Sequence, residues 1–134
     1  MKNAVNAAPG RPLRALALVS AAYDFALGVP LLLAAPSVAR MMGAPPPQPL
    51  VNAQLNGLFT ITLAIGYLWA ARDVEARRGY LWIAGVAAKG AGAALFVADH
   101  FTAGSPAAFL LFAVTDGALA LVTLALLLRA RTTP

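Results

Sequence analysis

Three ionisable side chains interrupt apolar stretches of this 134-residue chain: Asp24, Lys89 and Asp116. In such surroundings a carboxylate or an ammonium can relay a proton, hold a cation or pair with another charge. Two carboxylates against one ammonium leave a surplus of −1. A proton, a bound cation or a basic group from a partner must neutralise it. A trio that only pins helix register answers the same pattern. Further along, Asp99-His100 has the residue types of an acid–base pair. At a helix end beside water, the same two residues also make an ordinary solvated cap. Together with Asn52, Gln54, Asn56 and Thr60 they form a candidate polar vestibule, of which Asn56, Asp99 and His100 are the principal members.

Other chemistries lack their residues. Cys is absent, which excludes disulfides, thiolate metal sites and thiol catalysis. A single His excludes a His-rich metal centre or a bis-His haem within the chain. There is no Gly-x-Ser-x-Gly, no His-Glu-x-x-His and no phosphate-binding glycine loop. No catalytic residue, metal ligand set or cofactor is therefore expected.

The elements that must position the three charges follow from composition. Hydrophobic residues make up 60% of the chain and charged residues 11%, where a soluble domain carries about 25% charged. That leaves too little polar surface to coat a globule in water. The expectation is a single all-α membrane domain over residues 1–134, a polytopic four-transmembrane-helix bundle. Spans fall at about 13–33, 53–71, 80–98 and 107–128, each near the ~20 residues that cross a bilayer. The first is too long for a leader's apolar core and carries Asp24 at its centre, so it reads as a retained span. Pro36 and the Ala44–Pro49 run (Ala-Pro-Pro-Pro-Gln-Pro) break the chain after span one. They make residues 34–52 a long outer loop. Within it, Ser37 to Met42 reads either as a short interfacial helix, with Val38, Met41 and Met42 toward lipid, or as a plain connector.

Basic residues orient the spans. Lys2, Arg11, Arg14, Arg72, Arg77, Arg78, Arg129 and Arg131 fall on one side, and only Arg40 on the other. Since Lys and Arg stay cytoplasmic, both termini and the second loop are expected inside. Tyr67, Trp69, Tyr80 and Trp82 then form an aromatic belt at the inner interface. The net charge of +5 is explained by this bias, and with no basic stripe no nucleic-acid partner is expected.

All three charges then lie near mid-membrane. Each opposes insertion by about 2.5–3.5 kcal/mol if it faces lipid, so the trio is expected to meet inside the bundle. Span three is rich in small residues, with Ala84, Ala88 and Gly92, and Gly85, Lys89 and Ala93, at four-residue spacing. Small faces allow close helix approach, which marks span three as the most enclosed helix. Ala21–Leu27 and Ala113–Leu119 also share Ala-x-x-Asp-x-Ala-Leu, a faint internal echo.

Several short motifs together resemble a family. These are Tyr23-Asp24 with Gly28, Met42-Gly43-Ala44-Pro45, Gly66-Tyr67-Leu68-Trp69-Ala70-Ala71-Arg72-Asp73, Gly85 to Lys89, and Asp116. The layout resembles small bacterial four-helix integral membrane proteins, loosely DoxX-like, over nearly the whole chain. The resemblance implies the bacterial inner membrane and an accessory role, in some cases beside redox enzymes. The leading functional expectation is a non-catalytic membrane subunit or scaffold, working as a homo-oligomer or within a larger complex in the bilayer. A small proton- or cation-coupled transporter and an accessory subunit handling a quinone or lipid are the alternatives.

Overall fold

The computed structural model describes residues 10–130, and among them it is all-helical. Four long helices follow the expected spans: α1 (Gly10–Met41), α2 (Leu50–Ala71), α3 (Arg78–Ala103) and α4 (Ala107–Arg129). Three of them, α1, α3 and α4, are long and apolar enough to cross a membrane. The fourth, α2, carries Asn52, Gln54 and Asn56 in its first turns, which dilutes its apolar content. Lys2 and Arg131, counted in the basic bias, lie outside the described residues.

The distribution of side chains is inverted relative to a protein in water. Leu18 and Leu33 on α1, Phe59 and Ile65 on α2, Ile83 and Val97 on α3, and Leu111 and Leu121 on α4 all point outward and are exposed. The interior is built largely from small residues, among them Ala17, Ala21, Ala64, Ala70, Ala84, Ala113 and Ala120. Small side chains bring backbones together where no hydrophobic difference exists between core and surroundings. The closest approach is between α1 and α2. A Cβ on Gly57 would lie 2.5 Å from Leu32 N and 2.7 Å from Gly28 O, and one on Gly28 would lie 2.8 Å from Gly57 O. Only a residue without a Cβ fits on either side of this crossing.

The helices pair as α1 with α2 and α3 with α4, and α1 also touches α4. The α1–α4 contact includes a 2.5 Å hydrogen bond between Tyr23 Oη and Thr115 Oγ1. These two residues occupy matching positions of the Ala-x-x-Asp-x-Ala-Leu echo, immediately before Asp24 and Asp116, so the two echoed segments face each other. At one end of the molecule Gly10 lies against Val74 and Glu75, and Arg78 Nη2 donates to Ala130 O. The start of α1, the turn after α2 and the end of α4 therefore share that end.

Four expectations need correction. Helix α1 does not stop near residue 33. It kinks at Ala34 and runs on to Met41, so the first connection is residues 42–49 and not 34–52. The Pro36 ring crowds the Leu32 carbonyl in a straight helix, which favours a break there, whereas Pro30 is carried within α1 without one. The kink two residues earlier relieves that clash and leaves Pro36 in a first turn, where proline is tolerated. Second, span three is not the most enclosed helix, since α1 buries more of its residues. Leu13, Ala17, Ser20, Ala21, Asp24, Gly28 and Ala35 are buried along α1, against Leu81, Ala84, Gly85 and Lys89 in α3. Third, Ala84, Ala88 and Gly92 do not share a face, since Ala84 is buried and Ala88 exposed. Residues Leu81–Ala88 form a π-helix, whose wider turn puts five residues where an α-helix puts four. Fourth, Tyr67 is no belt residue. It is 1% exposed, and its ring packs edge-on against Tyr80 at 5.3 Å inside the fold.

Candidate functional site: a charged trio under an apolar chamber

The three charges meet. Lys89 Nζ donates to Asp24 Oδ1 at 2.6 Å and to Asp116 Oδ1 at 3.1 Å. Each helix delivers its residue for a local reason. Asp24 belongs to the small-residue stripe Ala17, Ala21, Gly28 on α1, which is buried along its length. Asp116 lies on α4 between buried Ala113 and Ala120. Lys89 stands where the π-helical segment returns to α-helix, and its N–H reaches back five residues to Ala84 O. The widened turn fixes the direction in which Lys89 leaves α3. Gly85 within that segment allows close contact, since a Cβ there would lie 2.8 Å from Thr123 Cγ2 of α4.

The two carboxylates are not equivalent. Asp24 is 3% exposed and Asp116 17%, so Asp24 is the more buried partner and holds the shorter bond. Tyr23 and Tyr67 flank the ammonium, with ring centroids 4.8 and 5.9 Å from Nζ. Both distances fall within the range in which an aromatic face attracts a cation. Deeper in, Asp24 Oδ2 is buried without a hydrogen bond among the described residues, and the hydroxyls of Ser20 and Tyr67 are buried beside each other. A buried polar atom without a partner carries a desolvation cost of about 1–3 kcal/mol.

Above the trio lies a chamber of about 1000 Å³. Its walls come from α1 (Leu27, Pro30, Leu31), α2 (Ala53, Asn56, Thr60, Leu63), α3 (Gly92, Leu95, Phe96) and α4 (Phe109, Phe112). Asp24, Lys89 and Asp116 lie at its floor, and Ala44, Pro45 and Pro47 of the first connection line its opposite end. The segment of α1 beyond the Ala34 kink also lines it. Val38 and Met42, expected to face lipid, turn toward the chamber instead, as does part of the exposed Met41. The outer half of α3 packs mainly against α4, which leaves the α2 and α3 walls facing each other across the space.

The expected vestibule is divided by the structure. Asn56, Thr60 and Asp99 line the chamber, while His100, Asn52 and Gln54 do not. His100 Nδ1 is 2.7 Å from Ser105 O, and Asp99 accepts a hydrogen bond from Ser105 Oγ. These contacts tie the α3–α4 turn together, and Asp99 and His100 share no bond of the kind an acid–base pair needs. The apolar lining was not singled out in the sequence. Phe96, Phe109 and Phe112 form a cluster with centroid separations of 5.4–6.2 Å. The Phe109-x-x-Phe112 spacing on one helix face was the available signal.

No family model, curated protein or solved structure matches the chain. The site must therefore be interpreted from its own chemistry. It offers a roomy apolar volume, an aromatic cluster, and a charged floor with carboxylate oxygens left over. It offers no nucleophile poised against a base.

Proposed function

We propose that this protein is a four-span integral membrane protein of the bacterial inner membrane that binds a small hydrophobic molecule in its outer-half chamber. Both termini and the second loop face the cytoplasm in this reading. It therefore departs from a purely passive scaffold. The single observation that carries it is the chamber of about 1000 Å³ ending on the Asp24–Lys89–Asp116 floor. Binding sites for small molecules are mostly apolar concavities of about 300–1,000 Å³ with a few convergent polar groups. A scaffold gains nothing from such a cavity in its middle. For α2, the outward Leu55, Leu58, Phe59 and Ile65 support membrane placement, and its polar Asn56 and Thr60 face the chamber, away from lipid.

Two measurements test this. Because the chain has no Cys, single introduced cysteines report sidedness without background. Thr102→Cys should react with a membrane-impermeant maleimide in intact cells, and Ala76→Cys only after lysis. The reverse pattern would invert the orientation. Binding is tested with the neutral fluorophore N-phenyl-1-naphthylamine, titrated against the protein in phosphatidylcholine nanodiscs with empty discs as the blank. Saturable one-to-one binding is expected. A Cβ on Gly92 has free space, with Asp116 Oδ2 at 3.9 Å as its nearest contact, and Gly92 lines the chamber, so Gly92→Leu adds bulk at its wall. That variant should weaken binding by about tenfold or more, the equivalent of a 1–3 kcal/mol overpacking penalty. No saturable binding to the unaltered protein would refute the chamber as a binding site.

A further inference from the structure

The charge lining the chamber says more than its volume does. Its walls carry three carboxylates, Asp24, Asp99 and Asp116, and one ammonium, Lys89. Three negative charges and one positive give −2, in a chain whose net charge is +5. Lys89 uses one oxygen of each floor carboxylate, Asp24 Oδ1 and Asp116 Oδ1. The others remain. Asp24 Oδ2 is buried and makes no hydrogen bond, on a side chain only 3% exposed. Asp116 Oδ2 lies toward Gly92, whose bare backbone leaves a gap in the wall at that height.

Resting on the binding role assigned to this chamber, we infer that its ligand is a lipophilic cation, an apolar body carrying one permanent or protonated positive charge. A single positive charge at the floor balances the surplus that Lys89 leaves on Asp24 and Asp116. The aromatic faces of Tyr23, Phe96 and Phe112 line the same space and attract a cation at contact distance. Asp99, toward the outer end, adds negative charge along the way in. An anionic ligand would meet uncompensated carboxylates in a low-dielectric space, where like charges repel strongly. A neutral ligand would leave that surplus to a proton on one of the carboxylates.

The discriminating experiment compares tetraphenylphosphonium with the neutral triphenylphosphine oxide. Both are measured by equilibrium dialysis against the protein in phosphatidylcholine nanodiscs, whose neutral headgroups do not collect cations. The cation should bind at least about tenfold more tightly than the neutral compound, the scale of one added charge contact in a partly buried site. Asp116→Asn retains an oxygen for Lys89 and removes the surplus charge of the floor, so it should erase that preference. The comparison within the unaltered protein needs no variant, so a folding defect in Asp116→Asn leaves the inference exposed to refutation. Equal affinity for the two phosphorus compounds, with naphthylamine still bound, would overturn the cation and keep the chamber. A preference for the cation that survives in a folded Asp116→Asn protein would also overturn it. Binding of none of the three would overturn both.

Discussion

Replacing Lys89 with Leu should be among the most damaging single changes in this protein. The ammonium is the hydrogen-bond donor to both Asp24 Oδ1 and Asp116 Oδ1, and it is 6% exposed. Removing one side of a buried pair costs about 3–5 kcal/mol, because the remaining charge keeps its desolvation penalty and loses its partner. A Lys89→Leu protein should therefore show a large loss of the monodisperse fraction on size-exclusion chromatography and a lower thermal midpoint. The two carboxylates predict different rescues. Asp24 is 3% exposed with a 2.6 Å bond, and Asp116 is 17% exposed, beside the chamber, with a 3.1 Å bond. Asp24→Leu combined with Lys89→Leu removes the deeper charge and should recover most of the loss, since apolar replacement of a buried pair is often neutral or better. Asp116→Leu combined with Lys89→Leu leaves Asp24 alone in the interior and should recover less. Equal rescue by the two doubles would show that burial does not rank the carboxylates.

That trio was legible in the sequence because a charge in an apolar helix has few places to go. Its depth in each span followed from counting, and the meeting of Asp24, Lys89 and Asp116 followed from the cost of facing lipid. The all-helical class was equally readable, since apolar runs bounded by Pro-rich or charged segments leave little choice. What stayed hidden depended on shape. The π-helical turn at Leu81–Ala88 has no compositional mark in an Ala/Gly-rich stretch, yet it breaks the four-residue stripe of Ala84, Ala88 and Gly92. Tyr67 and Tyr80 have the same residue type and similar distance from the inner end. Only packing separates the enclosed Tyr67 from Tyr80, which reaches across to Leu63 O at 2.6 Å. The chamber is the extreme case. It is an absence of contact between the outer halves of α2 and α3, and a pattern of residue types records contacts better than gaps. The sequence also ranked span three as most enclosed from its small residues. Small residues mark close approach, but the most extensive helix–helix contact is between α1 and α2.

A Cβ at residue 57 should also be clearly destabilising, for a different reason. Gly57→Ala would set its methyl 2.5 Å from Leu32 N, 2.7 Å from Gly28 O and 3.0 Å from Leu31 C. All three are backbone atoms, so no rotamer change relieves the clash and α1 must move away from α2. Overpacking of this kind costs about 1–3 kcal/mol, more where the obstacle is rigid. The displacement also reaches the site. Asp24 lies one turn before Gly28 on the same buried stripe of α1, so moving the crossing moves the carboxylate relative to Lys89. Gly57→Ala is therefore expected to lower the thermal midpoint and to weaken naphthylamine binding together. Gly90→Ala is the matched control. A Cβ there meets only Ala120 Cβ at 3.9 Å, an ordinary contact, and Ala in place of Gly within a helix gains up to about 1 kcal/mol. Gly90 is not among the chamber residues, so the control should match or exceed the unaltered protein in stability and bind the fluorophore equally well. If the two variants behave alike, the Gly28–Gly57 crossing does not set the spacing of α1 and α2. If Gly57→Ala is destabilised but binds normally, α1 carries Asp24 to Lys89 independently of its seat on α2.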